Sequence, residues 1–248
     1  MRTPAFSISL PTQTAPRLER PIQGLLLDNC DTLYDATGWR RWLLQVLRRL
    51  GLHTNYRCFF HVWDEDYLDA VHRGERDLCD AFRAFLQAIG LSRGQVDEVA
   101  TACETRRKRW ESEARPLPGV KKTLQRLAAA GVPLAVVSDS EQTAAELRRH
   151  LEGMGLRGLF AAVVTSRDLG QTKPEAVCYE AALDVLRLHA GQVAFVGHDT
   201  KELSGAAQLG MQTIGFNCWP ETEADLVLSR FNELAELIDL RAERSAAG

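Results

Sequence analysis

Apolar residues along this chain fall into two regimes. Leu25-Leu26-Leu27 is a short apolar run set between Gly24 and the polar stretch Asp28-Asn29-Cys30-Asp31-Thr32, the signature of a buried strand running into a turn. From residue 36 to about residue 114 the spacing becomes helical. Trp39, Trp42-Leu43, Val46-Leu47 and Leu50 recur at helical intervals before Gly51, and Tyr67-Leu68 with Val71 predict a second helix ending near Gly74. Residues 78–89 predict a third helix, stopped by Gly90, and 96–109 a fourth. No strand pattern interrupts them, so residues 36–114 read as a helical cap inserted after the first strand.

From Pro118 strands and helices alternate. The pattern predicts a helix over 120–130, a strand over 133–137 closed by Ser138-Asp139-Ser140, a helix over 141–151 and a strand over 160–165. A helix over 174–188 has proline in its first turn, a favoured position. Next come a strand over 193–196 ending in Gly197-His198-Asp199, a helix over 202–209, a strand over 213–216 and a strand–helix pair over 225–240. Such alternation predicts an α/β fold with a parallel, doubly wound sheet formed by residues 21–35 and 115–248. Asp28, Ser138, Lys173 and Asp199 each follow a predicted strand, and open α/β sheets bind ligands beyond their C-terminal strand ends. A carboxylate at such a tip, Asp28 here, is a candidate nucleophile that can carry a phosphoryl group; a turn-forming aspartate is the other reading.

Composition narrows the classes. The 248 residues suffice for one large domain or two small ones. A formal net charge of −3 gives no reason to expect nucleic acid or an anionic membrane as partner. Cysteines 30, 58, 79, 103, 178 and 218 show no metal-ligand spacing and suit free thiols in the cytoplasm. Residues 1–20, rich in Pro, Thr and Arg, have no apolar stretch long enough for a signal peptide and are expected to be a mobile lead-in; no later run is long enough to span a membrane.

Four segments in order, DNCDT (28–32), VVSDS (136–140), QTKPE (171–175) and VGHDTKE (196–202), give the pattern a name. From about Pro21 to Leu240 the chain resembles the haloacid dehalogenase superfamily, a Rossmann-like core with a helical cap, and within it the phosphoglycolate-phosphatase and β-phosphoglucomutase-like branch. The resemblance implies that Asp28 is the nucleophile, that Thr32 and Ser138 hydrogen-bond the phosphoryl oxygens, and that Lys173 offsets the charge of both. It also implies a magnesium ion held by Asp28, by the backbone carbonyl of Cys30 and by a fourth-motif acid, Asp199 or Glu202, with Asp199 preferred as nearer the strand tip. The implied substrate is a small phosphorylated metabolite, with Arg40 or Arg41 of the cap as candidate contacts.

The sequence departs from the family pattern twice. Cys30 stands where the family has its second aspartate, the general acid, and Asp31 stands where it has glycine. A thiol is a poorer proton donor at neutral pH than a tuned carboxyl, and general acid–base help is typically worth about 10² to 10⁴ in rate. In the fourth motif His198 takes the first acidic position, and imidazole is a poor magnesium ligand. Two other readings follow. One is a metal-free 2-haloacid-dehalogenase-like hydrolase, in which halide leaves without a proton. The other is a non-catalytic relative that binds a ligand or a protein. A phosphonoacetaldehyde-type reaction lacks its cap lysine, since Lys108, in a basic run, is the sole lysine between residues 36 and 115.

Overall fold

The computed structural model describes Leu18 and residues 20–238. Its sheet comprises β1 (Gly24–Leu27), β2 (Leu134–Ser138), β3 (Ala162–Thr165), β4 (Val193–Gly197), β5 (Gln212–Phe216) and β6 (Leu226–Leu228). Among the described residues these six strands form one parallel sheet in the order β3-β2-β1-β4-β5-β6. Strands buried on both faces read as unbroken apolar runs, which is why the sequence announces them so clearly. Leu27 is in register with Val136 on one side and Val196 on the other, so the tips of β1, β2 and β4 lie abreast.

The cap contains α1 (Gly38–Arg49), α2 (Tyr56–Trp63), α3 (Asp69–His72), α4 (Leu78–Ala88) and α5 (Arg93–Ser112). The sequence pattern caught only the end of the second helical stretch. A π-helical turn, Asp64–Leu68, joins α2 to α3 and inserts an extra residue into the 3.6-residue period. Across this turn Tyr67 still stacks on Trp63, with ring centroids 6.2 Å apart. In the core, α6 (Val120–Ala129), α7 (Ala144–Gly153), the short α8 (Ser166–Leu169), α9 (Ala176–Leu186) and α10 (Thr200–Gln208) follow the strands. Pro174 precedes α9 rather than opening it, and α7 starts later than expected because Thr143 and Glu146 form a capping box. After β6, residues 233–238 are helical; residues 239–240 of the expected last helix lie outside the described residues.

Alternate residues of β1 serve opposite faces. Leu25 and Leu27 pack with Val136, Val196, Leu124 and Leu147, while Leu26 packs with Val137, Phe195, Tyr179 and Leu203. A third apolar cluster, with Leu43, Leu47, Trp63, Phe85 and Val99, belongs to the cap alone. At the N-terminus, residues 1–17 and 19 of the expected mobile lead-in are outside the described residues. The expectation does not hold to residue 20: Leu18 is buried in the core, and the Arg20 N–H donates to Gln212 Oε1 at 2.9 Å.

Candidate active site

Asp28 leaves β1 into the centre of the strand tips and is almost wholly buried. Its carboxylate is surrounded by donors. Lys173, from the loop before α9, brings Nζ to 2.5 Å from Oδ1. His198, the residue after β4, sets Nδ1 3.2 Å from Oδ2, and the Thr32 hydroxyl donates to Oδ2 at 3.4 Å. Lys173 is fully enclosed: Nζ also donates to the Val137 carbonyl at 3.2 Å and makes an ion-pair contact with Glu202 Oε2 at 3.0 Å. Its backbone N–H donates to Asp139 Oδ1 at 3.1 Å.

Electrostatics follow from this packing. Burial alone would raise Asp28, but Lys173 and His198 outweigh it and hold the carboxyl at about 2. Burial opposes the charge on His198 too, yet the bond to Asp28 lifts the imidazole to about 9. Glu202 is pushed up to about 8, chiefly by burial; Lys173, 3.0 Å away, pulls it down, and the charges of Asp28 and Asp139 add to the rise. Cys30 moves the wrong way for an acid, as burial and then the charge of Asp28 drive its thiol well above its ordinary value.

The haloacid dehalogenase-like hydrolase family pattern matches residues 22–210 of this chain. The chain belongs to that family. It is 26% identical over 229 residues to the glyceraldehyde 3-phosphate phosphatase of Methanocaldococcus jannaschii, covering 88% of this chain and 96% of that one. It is 29% identical over 129 residues to (S)-2-haloacid dehalogenase 4A of Burkholderia cepacia, about half of each chain: 51% of this one and 55% of the other. The solved structure of a predicted phosphoglycolate phosphatase of Haemophilus somnus shares its fold, with a TM-score of 0.65 and 17% identity over 87% of this chain and 97% of that one. As a haloacid dehalogenase-like hydrolase with phosphatase-named relatives, the chain is a hydrolase of the α/β class.

The haloacid dehalogenase-like core and its cap enclose a cavity of about 570 Å³ above Asp28. Asp28, Cys30, Lys173, His198, Asp199 and Glu202 line it; Thr32 and Ser138 do not. Thr32 lies behind Asp28 and orients it, while the Ser138 hydroxyl faces the Asp139 carbonyl at 3.4 Å. Asp139 and Ser140, which the sequence reading passed over, form the wall there. Of the two cap arginines, Arg40 lines the cavity in a bidentate pair with Asp64, 2.8 Å at each nitrogen. Arg41 points outward, 3.6 Å from Asp35.

Asp31 accounts for one departure from the family pattern. It sits at φ +54, the left-handed region that glycine occupies freely and aspartate tolerates. Its carboxylate lies in the cavity wall, where it accepts from the Ala36 N–H and the Thr37 hydroxyl.

The fourth motif divides its work differently from the expectation. Asp199 caps α10, its Oδ1 accepting from the N–H groups of Lys201 and Glu202, while Glu202 is the acid that turns inward. The D-x-x-E spacing of a helix start was a legible signal for this, because a cap residue faces its own first turn. The magnesium ion that the resemblance implies does not fit these donors. An imidazole N–H occupies Asp28 Oδ2, Glu202 is held against Lys173, and Asp199 Oδ1 is spent on the cap of α10, so the backbone carbonyl of Cys30 lacks the free carboxylates that would complete the set. Magnesium takes hard oxygen ligands in near-octahedral geometry.

Proposed function

We propose that this chain hydrolyses phosphate monoesters of small cytoplasmic metabolites through a phosphoryl ester on Asp28. The observation that carries the reading is a carboxylate kept ionised inside the protein, facing the cavity between core and cap, between two cationic side chains. An ionised group that is nearly inaccessible to water costs free energy unless paired, and its placement at the central strand tip suits a nucleophile. The near-full-length likeness to a phosphatase supports the substrate class. Free thiols at all six cysteines agree with a reducing compartment.

In this reading an Asp28 oxygen forms a bond to phosphorus as the bond to the leaving oxygen breaks. Lys173 and His198 offset the charge of nucleophile and phosphoryl group together, and Thr32 fixes the carboxylate plane. With the Cys30 thiol held neutral, the leaving group departs as an anion, so aryl phosphates react faster than alkyl ones. Water then attacks the phosphorus of the ester, releasing inorganic phosphate and Asp28. No step is routed through magnesium.

A second reading, hydrolysis of a 2-haloacid, is favoured by the same Cys30, because halide needs no proton. One assay separates them. Phosphate release from an aryl phosphate, reduced more than about 10³-fold by Asp28→Asn, supports the phosphatase. Chloride release from 2-chloropropionate without phosphate release transfers the assignment to the dehalogenase.

A further inference from the structure

We infer that this site works without a divalent cation, because the His198 side chain holds the carboxylate oxygen and the space that such an ion would take. The inference rests on Asp28 as the reacting group, as proposed above. An ionised carboxylate only accepts hydrogen bonds, so Nδ1 of His198, 3.2 Å from Oδ2, carries a proton whatever the charge of the ring. An N–H directed at that oxygen takes one of its two lone-pair directions, and the imidazole ring behind it fills the space on that side in which a magnesium ion would stand about 2.0–2.1 Å away.

The backbone leaves His198 little freedom to withdraw. Gly197 ends β4 pressed against neighbouring groups: a Cβ there would lie 2.8 Å from the Phe195 ring and 3.7 Å from Asp28 Cβ. One residue later the chain is fastened again by the Asp199 cap of α10. Between these two anchors residue 198 lies beside Asp28, with its Nδ1 3.2 Å from Oδ2. In this chain that residue brings a donor where a metal site needs an acceptor.

The candidate acids are engaged as well. Glu202 Oε2 faces Lys173 and Asp199 Oδ1 is satisfied by two backbone N–H groups, while the backbone carbonyl of Cys30 is a single neutral donor that does not hold a magnesium ion by itself. The charge compensation that a divalent ion gives a carboxylate attacking a phosphate falls here to Lys173 and His198. Their Nζ and Nδ1 cover one oxygen of Asp28 each.

The test titrates wild type, Asp28→Asn and His198→Asp with Mn²⁺, following the electron paramagnetic resonance signal of free ion, with and without inorganic phosphate. Wild type is expected to leave the free signal unchanged in both conditions. His198→Asp supplies the missing oxygen donor and is expected to take up one ion per chain. In parallel, aryl-phosphate turnover of wild type is expected to be indifferent to EDTA and to added Mg²⁺. His198→Asp is expected to lose about 10²-fold without metal, as when one preorganised donor is removed, and to regain turnover with Mg²⁺. Mn²⁺ uptake by wild type that Asp28→Asn abolishes, or turnover that EDTA removes and Mg²⁺ restores, overturns the inference. If His198→Asp fails to fold, the wild-type titration decides alone. Wild type that neither binds Mn²⁺ nor releases phosphate upholds the metal-free site while removing the phosphatase reading.

Discussion

At the scale of single residues, the site is a contest over one carboxylate. Asp28 and Lys173 were legible from their places after predicted strands and Thr32 through the family resemblance, and the structure brings all three together, with Thr32 on Asp28 itself. Cys30 is the residue whose chemistry falls short. Its thiol is buried beside Asp28 and driven up by both burial and charge, so it neither gives a proton to a leaving alkoxide nor returns as a base. A carboxyl at this position, lifted by the same burial towards neutral pH, donates far better. Cys30→Asp is expected to raise turnover of an alkyl phosphate about 10²-fold while changing that of a nitrophenyl phosphate little. Parallel steady-state assays on the two leaving groups check it, and an equal gain on both would show that Cys30 is not the missing acid. Asp199 and Glu202 both line the cavity, but they are used differently for a geometric reason: a helix N-cap spends its side chain on its own backbone, while Glu202, one turn on, faces Lys173.

At the scale of elements, the strands were easy to read and the helix phases were not. β1 and β4 are continuous apolar segments and β2 and β3 are apolar up to their last residue, so the strands stand out from composition while their ends fall within about two residues of the pattern. Helix phase depends on where a π turn or a cap falls, as between α2 and α3, and that is settled by packing. The packing of α10 on the Lys173 loop shows how such a detail reaches the chemistry. Gly205 lies on the face of α10 that meets this loop, and a Cβ there would fall 2.6 Å from Pro174 Cβ and 2.8 Å from its carbonyl oxygen. Backbone cannot step aside as a flexible side chain does. Gly205→Ala gains up to about 1 kcal/mol of helix propensity. Overpacking costs about 1–3 kcal/mol, and the net sign is destabilising. The shift also separates Lys173 from Glu202, which sit on the two sides of that contact. Thermal melting is expected to show a lowered Tm, and kinetics a lowered kcat; an unchanged Tm with full activity would mean that the loop yields freely.

At the scale of the molecule, two cores meet along a polar seam. The cap carries its own apolar cluster, and its joins to the α/β core are hydrogen bonds and ion pairs. The Ser166 hydroxyl donates to the His72 carbonyl at 2.9 Å and the Thr172 hydroxyl to Asp69 Oδ1 at 2.8 Å. The Trp110 indole donates to the Asp35 carbonyl at 2.7 Å, and Arg107 reaches Glu141 at 2.7 Å. Lys201 with Glu65 and Arg57 with Glu221 complete the seam on its exposed side. Exposed pairs of this kind are worth about 0–1 kcal/mol and are screened by salt, so the closed state depends mainly on the part-buried bonds. Thr172→Val removes one such bond at nearly constant volume and leaves Asp69 its contact with Arg73, 3.0 Å away. A typical net loss of about 1 kcal/mol lowers the closed population relative to the open one roughly fivefold. Neither apolar core is touched, so global stability is expected to hold while amide exchange quickens at residues 35–37 and 112–116, where the chain crosses between cap and core. Exchange in β1 and β4 is expected to stay slow, and KM to rise by a similar factor. Glu221→Ala, which breaks only an exposed pair, is expected to change none of these. Exchange that quickens equally in the seam and in β1 would show cap and core opening as one body and would refute independent opening of the cap.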